Sequence, residues 1–239
     1  MLIAVPSKGR AGKVKTTKVL PDAVLFVPEL EVAAYKAAGE KNIVGVPNFV
    51  RGITKTRNWI LDFAKKERRV VMIDDDVKAC GWVKLHEWNA EHKKIEAAVW
   101  LKEFEKLFDL TAAMGFRIWG VATQSAPRSV YPYKPFLWRS YITASCMGIV
   151  NDGRTRFDES FPVKEDYELN LRCIKEDGGV VCARHIYWEN SHWGDEGGCR
   201  DYRTAKMEDE TIQRLVKMYP GMISATKRAN SEWCVEVTA

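Results

Sequence analysis

The sequence predicts an α/β fold, in which the strands of a central sheet alternate along the chain with helices. Short segments rich in valine and isoleucine recur between segments whose apolar residues follow a helical spacing, and this alternation is typical of α/β domains. Hydrophobic residues make up 46% of the 239 residues, enough for a continuous core. The predicted strands are residues 2–5, 23–27, 42–46, 69–73, 118–122, 141–150 and 180–187. The predicted helices are residues 28–35, 55–66, 96–114, 165–175 and 207–219.

Proline and glycine mark the ends of the elements in the first half of the chain. Pro6 and Pro47 follow the first and the third predicted strand. Pro28 opens the first helix, because proline fits the first helical turn, and Gly39 ends that helix. The fourth strand is apolar after its first residue, which predicts a strand buried on both faces.

The later helices are predicted from helical spacing. Helix 96–114 carries large side chains on one face, which are Trp100, Phe104, Leu107, Phe108 and Thr111, and Gly115 ends it. Pro220 ends helix 207–219 in the same way. Because no repeat, low-complexity tract or linker interrupts this order, we expect a single domain over residues 1–239.

Composition and charge exclude several classes of protein. Charged residues make up 29% of the chain, which is too many for a membrane protein, and the apolar content is too high for a disordered one. No apolar run reaches the roughly 20 residues that span a bilayer, and the first residues do not resemble a signal peptide. The six cysteines have no C-x-x-C spacing, so we expect reduced thiols, no zinc and a cytoplasmic location without membrane contact.

Three adjacent carboxylates, Asp74, Asp75 and Asp76, follow the apolar strand 69–73. Their mutual repulsion is relieved by a hard divalent cation such as Mg²⁺ or Mn²⁺, which prefers carboxylate oxygens and often shares substrate phosphates. The carboxyl end of a strand is also where open α/β sheets bind ligands. The alternative is an acidic turn that caps the next element.

Two further segments carry charged residues at predicted helix starts. Arg57 and Asn58 lie at the beginning of helix 55–66, where the helix dipole favours an anion. Glu165 and Asp166 begin another helix, where a carboxylate can act as general base toward an acceptor hydroxyl. Acidic residues are common in a first helical turn for electrostatic reasons alone, and an arginine there is commonly solvated, so both segments keep a structural alternative.

The order of these motifs resembles the GT-A nucleotide-sugar glycosyltransferases of the family-two type. The motifs are a strand followed by P-S-x-x-R, then G-x4-R-N, then an apolar strand with D-D-D, then F-D-E and E-D, within about residues 2–192. The opening V-P-S-K-G-R-A-G-K and the short chain resemble the phage TET-associated glycosyltransferases in particular. The resemblance implies a single Rossmann-like nucleotide-binding domain with a central, mostly parallel sheet flanked by helices. It also implies a donor-nucleotide half over about residues 1–76 and an acceptor and catalytic half over about residues 77–239.

The resemblance implies a role for each matching residue. The residues that would bind the donor nucleotide are Pro6, Ser7, Arg10, Arg57, Asn58, Asp74 and Asp75. The ligands of Mn²⁺ or Mg²⁺ would be Asp76, Asp74 and His192, the last in a glycine-rich segment. Asp166 would be the base of an inverting reaction, with Glu165 beside it. The middle carboxylate of D-D-D departs from the usual D-x-D, which leaves open which two carboxylates bind the metal.

The implied reaction moves a sugar from a UDP-sugar to the hydroxyl of 5-hydroxymethylcytosine in phage DNA, within the cytoplasm of an infected host. Trp82, Trp138 and Trp193 lie where they would frame the acceptor, although core packing is the commoner fate of tryptophan. His185 falls within a predicted strand and reads as a packed histidine. No obligate protein partner is evident.

Three alternatives stay open at this point. The same fold can act on a glycan, lipid or protein acceptor. A nucleotidyltransferase shares the sheet and an acidic metal site, but its usual glycine-rich loop after the first strand is missing. A non-catalytic DNA-binding module would not need three carboxylates that repel phosphate.

The net charge of +5 is unevenly distributed. Residues 1–20 hold five lysines and arginines and no acidic residue, and residues 51–69 hold seven against Asp62 and Glu67. The rest of the chain is therefore net negative. Since both basic segments belong to the motifs assigned to the donor, the distribution indicates a phosphate-bearing ligand.

Overall fold

A computed structural model of the protein describes residues 1–86, 89–123, 134–190, 203–227 and 233–238. The strands of the first half are β1 (Leu2–Pro6), β2 (Val24–Pro28), β3 (Ile43–Val46), β4 (Arg69–Ile73), β5 (Val77–His86) and β6 (Asn89–Lys94). Those of the second half are β7 (Ile118–Thr123), β8 (Phe136–Leu137), β9 (Cys146–Val150), β10 (Val181–Asn190), β11 (Ile223–Lys227) and β12 (Trp233–Val237). The helices are α1 (Thr16–Val19), α2 (Val32–Ala37), α3 (Ile53–Phe63), α4 (Ala97–Ala113), α5 (Glu165–Asp177) and α6 (Ala205–Met218), with a 3₁₀ turn at Glu29–Glu31.

Ten strands form one central sheet in the order β3-β2-β1-β4-β9-β7-β10-β5-β6, with β8 also paired to β10. Strands β3, β2, β1 and β4 are parallel neighbours, and β7 is parallel to β10. Strands β9, β5 and β8 run the opposite way. The carboxyl ends of β1, β2, β3, β4, β7 and β10 therefore meet at one edge, called here the carboxyl edge.

Helices cover both faces of the sheet because the buried strands carry apolar side chains in alternation. Val71 and Ile73 of β4 pack in one core cluster together with the aromatic face of α4. Val70 and Met72 pack on the other side with residues of α3 and α5. The hairpin of β11 and β12 packs with α6 in a smaller cluster around Leu215.

The predicted α/β fold, with a mostly parallel sheet flanked by helices, is confirmed. The predicted strand 141–150 is wrong in its first half, because strand β9 begins only at Cys146. Residues 141–145 leave the sheet toward α5, where Asn170 Nδ2 donates to the carbonyl of Ile142 and Asn170 Oδ1 accepts its amide. The predicted helix 28–35 is a 3₁₀ turn followed by α2.

The sequence prediction missed the antiparallel hairpin of β5 and β6, the short strand β8 and the hairpin of β11 and β12. Strand β6 carries polar residues at all positions but Ala90, N-A-E-H-K-K, and so lacks the apolar alternation on which strand prediction depends. In the described part of the chain, no helix is long and apolar enough to span a membrane. The division into a donor half and an acceptor half stays a prediction.

Candidate active site

The carboxylates Asp74–Asp76 form the turn between β4 and β5 at the carboxyl edge. Backbone contacts hold this turn: Asp74 N donates to Ser145 O at 3.0 Å, and Lys15 N donates to Asp75 O at 2.8 Å. The hydroxyl of Thr16 donates to Asp74 O at 2.5 Å and accepts from Val77 N at 3.0 Å. The short helix α1 therefore fixes the backbone that presents the three carboxylates.

Asp75 is buried and holds the loop that follows β1. Ser7 Oγ donates to Asp75 Oδ2 at 2.5 Å, and the Arg10 guanidinium contacts Asp75 Oδ1. Ser7 Oγ also lies 2.8 Å from the hydroxyl of Tyr35, which accepts from Arg10 N at 3.0 Å. Burial raises the pKa of Asp75, and the contacts with Ser7 and Arg10 oppose that rise. Because both carboxylate oxygens are engaged, Asp75 organises the loop and leaves Asp74 and Asp76 as the carboxylates open to a cation.

Asp76 has a buried oxygen, Oδ1, without a hydrogen-bond partner among the described residues. Burial, followed by the charges of Asp74 and Asp75, raises the pKa of Asp76 to about 6. An unpartnered buried carboxylate oxygen is costly, and a cation would satisfy it. The described residues hold no group of three or more His, Cys, Asp or Glu side chains placed to bind a metal, so a cation here needs further ligands.

Arg57 joins the turn to the predicted catalytic helix. It lies on α3, is 5% exposed and contacts the carboxylate of Glu165, while its Nη2 is 3.8 Å from Asp74 Oδ1. Burial raises the pKa of Glu165 to about 7, against the effect of Arg57 and with that of the neighbouring Asp166. Arg57 therefore connects the carboxylate turn to α5. Its positive charge is balanced by the carboxylates of Asp74 and Glu165.

Asp166 follows Glu165 on the first turn of α5 and is half-buried. The Tyr141 hydroxyl donates to Asp166 Oδ2 at 2.5 Å, and Asp166 Oδ1 accepts from Tyr167 N at 2.9 Å. The rings of Tyr141 and Tyr167 stack, with centroids 4.0 Å apart. Burial, followed by the charge of Asp166, raises the pKa of Tyr141 well above its usual value, so Tyr141 stays the donor and orients the carboxylate.

Asn58 and Pro6 lie next to these groups without sharing their contacts. Asn58 is buried, and its amide pairs with both backbone groups of Phe157 at 2.9 Å while also donating to Glu159 Oε1 at 3.1 Å. These bonds use the side chain to fix the segment before α5. Pro6 ends β1, and the following Ser7 N donates to Phe26 O at 3.0 Å, which directs the loop over the carboxyl edge.

Trp82 and Trp138 lie in a row of four rings beside β10. Trp82 stacks on His185 with a centroid distance of 5.8 Å, His185 meets the edge of Phe136 at 4.9 Å, and Phe136 stacks on Trp138 at 5.8 Å. Burial lowers the pKa of His185, which is half-buried within β10. A register shift between Ala183 and Tyr187 sets this part of β10 off from β7.

Trp82 and Trp138 lie at different positions along the strand direction of the sheet. Trp138 O accepts from Val180 N at 2.7 Å, next to the amino-terminal start of β10, whereas Asp74 follows the carboxyl end of β4. The structure thus connects Trp82 and Trp138 only through two intervening rings, and it puts Trp138 toward the end of the sheet away from the carboxylates. His192 and Trp193 lie outside the described residues.

The sequence analysis missed Tyr141, Tyr35 and Thr16, which hold the predicted residues in place. Tyr141 was assigned to a strand, and Tyr35 and Thr16 carry no motif. The only feature that these three residues share in the sequence is a hydroxyl group, and hydroxyl side chains are too common to indicate a site.

Comparisons with known proteins agree with this architecture. The sequence profile of the TET-associated glycosyltransferases matches residues 1–198. Glucosyl-3-phosphoglycerate synthase from Mycobacterium tuberculosis, solved with Mg²⁺ and UDP, has a TM-score of 0.53 at 12% identity, over 98% of this chain and 85% of that one. The same enzyme with Mn²⁺ and UDP-glucose has a TM-score of 0.51 at 12% identity, over 99% and 89%.

A third similar structure is residues 1–349 of TarS from S. aureus in complex with UDP, with a TM-score of 0.49 at 13% identity, over 91% of this chain and 72% of that one. No curated protein sequence matches the chain. At these identities the mycobacterial structures bear on the fold, which is the one that the motifs predict.

Proposed function

Because the chain belongs to the TET-associated glycosyltransferase family, we propose that it transfers a sugar from a UDP-sugar to the hydroxyl of 5-hydroxymethylcytosine in DNA. The observation that carries the proposal is the convergence at the carboxyl edge of two charge systems. Asp75 with Arg10 forms one, and Asp74 with Arg57 and Glu165 forms the other. Asp166 stands directly beside the second.

The donor nucleotide would lie against the loop after β1. Ser7 and Arg10, held by Asp75 and Tyr35, form its wall, and Pro6 sets where that loop begins. Arg10 or Arg57, although each is paired with carboxylates, would add fixed positive charge where the departing UDP gains negative charge. The solved structures of the mycobacterial synthase contain UDP or UDP-glucose, which supports this choice of donor.

Mn²⁺ or Mg²⁺ fits the carboxylates that the loop leaves open. Asp76, whose Oδ1 has no hydrogen-bond partner in the described part of the chain, and Asp74 would hold the ion. His192 is the third ligand that the sequence predicts. When bound, the ion would supply charge neutralisation for the two donor phosphates. Asn58 takes a positioning role in this proposal, because its amide is committed to the segment before α5.

Asp166 would act as the base. In an inverting transfer the acceptor oxygen forms a bond to the anomeric carbon while the bond from that carbon to UDP breaks, and its electron pair leaves with UDP. The acceptor proton passes to the Asp166 carboxylate. Tyr141 and the α5 backbone hold Asp166, and Arg57 holds Glu165, so the catalytic turn is oriented before the acceptor arrives.

The acceptor surface would include Trp82 and Trp193, whereas Trp138, which the sequence also predicts there, lies toward the end of the sheet away from the carboxylates. Of the pair that the structure describes, Trp82 lies nearer the carboxylates, and Trp138 is 39% exposed. Phage DNA in the cytoplasm of an infected host is the setting that the family suggests, and no protein partner is required.

The test combines donor binding with an acceptor screen. UDP-glucose with Mn²⁺ should raise the melting temperature, and this rise should shrink when EDTA replaces the metal. Transfer should appear on hydroxymethylated DNA and not on unmodified DNA. Asp166→Asn should abolish transfer while UDP binding persists, whereas Asp109→Asn, a change at an exposed position of α4, should keep both. Normal transfer by Asp166→Asn contradicts the assigned base, and transfer to a glycan, lipid or protein instead of DNA contradicts the assigned acceptor.

A further inference from the structure

Phe49 presents an unusually exposed aromatic ring, with 80% of its surface open to solvent. It lies in the loop between β3 and α3, and this loop is anchored. Val50 N donates to Pro47 O at 2.9 Å, and the Val50 side chain packs against the core cluster around α3. Val50 is therefore held against the core, and the conformation of the anchored loop leaves the Phe49 ring exposed.

The loop lies at the carboxyl edge, where the candidate site is. Strand β3 is parallel to β2, β1 and β4, so its carboxyl end points to the edge that bears Asp74. Three strand spacings separate β3 from β4, about 15 Å. The loop leads directly into α3, whose Arg57 contacts Glu165. Phe49 thus stands on the rim of the site, within the reach of a macromolecular acceptor.

Two cations follow Phe49 in the chain, two and six positions later. Arg51 and Lys55 are exposed, and the structure gives neither a carboxylate partner among the residues that it describes. Arg51 Nε donates to Asn48 O at 3.4 Å, and no carboxylate among the described residues neutralises its guanidinium. An exposed ring close in the chain to such cations is the arrangement on which bases stack and phosphates bind.

The adjacent loop provides the contrast. Leu30 follows β2 at the same edge and is 82% exposed, but Glu29 and Glu31 flank it. A polyanion is repelled at Leu30 and attracted at Phe49. The charges therefore distinguish two equally exposed apolar side chains on one rim.

We propose that Phe49, Arg51 and Lys55 form a nucleic-acid-binding surface beside the candidate active site. Phe49 stacks on a base of the DNA acceptor, and Arg51 and Lys55 contact the phosphates next to it. This inference rests on the proposed DNA acceptor and adds to it the surface that binds the strand.

The first experiment measures binding of a fluorescent hydroxymethylated oligonucleotide by anisotropy. Phe49→Ala should weaken binding about 5- to 140-fold, the range that loss of one stacking contact produces. Phe49→Trp should restore binding, because it keeps a stacking face. The matched control Leu30→Ala removes an equally exposed apolar side chain and should leave the affinity within about twofold.

The second experiment measures salt dependence and donor binding. The plot of log K against log salt should become shallower by about one for each of Arg51→Ala and Lys55→Ala, while the affinity for UDP stays unchanged in all these variants. If the wild type glycosylates DNA but Phe49→Ala and Leu30→Ala change the DNA affinity equally, the proposed binding surface is wrong and the proposed function stands. A fall in UDP affinity in Phe49→Ala assigns the ring to the donor and also overturns the inference. A wild type that neither binds nor modifies DNA overturns both.

Discussion

The hydroxyl of Tyr141 donates a hydrogen bond of 2.5 Å to Oδ2 of Asp166, the proposed base. The two residues come from different elements, since Tyr141 precedes β9 and Asp166 lies on the first turn of α5. The stacked ring of Tyr167, with its centroid 4.0 Å from that of Tyr141, fixes the direction of the donor. The carboxylate is therefore held in one orientation by a side chain that need not touch either substrate.

Tyr141→Phe should lower kcat about tenfold without changing the affinity for UDP. Phenylalanine keeps the stack on Tyr167 but loses the hydrogen bond to Asp166, and hydrogen bonds to charged groups contribute about 1.5–3 kcal/mol. The loss should appear in kcat because it misorients the base. Steady-state kinetics with varied donor and acceptor, together with the melting temperature as a folding control, measure it. An unchanged kcat would mean that Tyr141 has no part in orienting Asp166.

Arg57 and Glu165 should behave as one unit in a double-mutant cycle. Arg57→Ala leaves the buried Glu165 without its cation, which should cost about 3–5 kcal/mol of unfolding free energy. The double variant Arg57→Ala, Glu165→Gln should cost clearly less than the sum of the single changes, because no uncompensated carboxylate stays buried at that position. Urea unfolding of the four proteins gives the coupling energy. Strict additivity would show that the contact contributes nothing.

The site residues that could be predicted from the sequence are those that stand next to each other in the chain and carry the same kind of reactive group. Asp74–Asp76 and the pair Glu165 and Asp166 stand at element ends that apolar patterns reveal. Their partners lie far away in sequence: Ser7 reaches Asp75 across 68 positions and Tyr141 reaches Asp166 across 25. A local pattern contains no information about such contacts, because packing of the whole sheet decides them.

For the same reason, the sequence does not show which role each carboxylate of D-D-D takes. Adjacency predicts a cluster but not which member turns inward. The structure buries Asp75 against Arg10 and Ser7, and among the residues that it describes none pairs with Oδ1 of Asp76. The hairpin of β5 and β6 escaped prediction for a different reason, since the sequence of β6 lacks an apolar alternation and the strand is recognised only by its pairing with β5.

Glu165 should make the stability of the protein fall as the pH rises through neutrality. Its pKa is raised by burial from 4.5 to about 7 in the folded protein, so between these values the folded state binds more protons than the unfolded state. The stabilisation is fully present below pH 4.5 and is lost as the pH passes about 7, a total of about 3 kcal/mol. Unfolding free energies between pH 4.5 and 8 should fall more steeply in the wild type than in Glu165→Gln, because Asp76, whose pKa is also raised, contributes a slope of the same sign to both proteins. Glu29→Gln, at an exposed site, is the control and should keep the wild-type slope.

Asn58→Ala should destabilise the protein while leaving the affinity for UDP within about twofold. The change removes the amide that pairs with both backbone groups of Phe157, and an unsatisfied buried backbone group costs about 1–3 kcal/mol. Because that segment leads into α5, kcat should also fall as the base loses its fixed position. Chemical unfolding, UDP titration and kinetics on one preparation separate the effects. A large loss of UDP affinity at unchanged stability would instead place Asn58 in direct contact with the nucleotide, as the motif alone predicts.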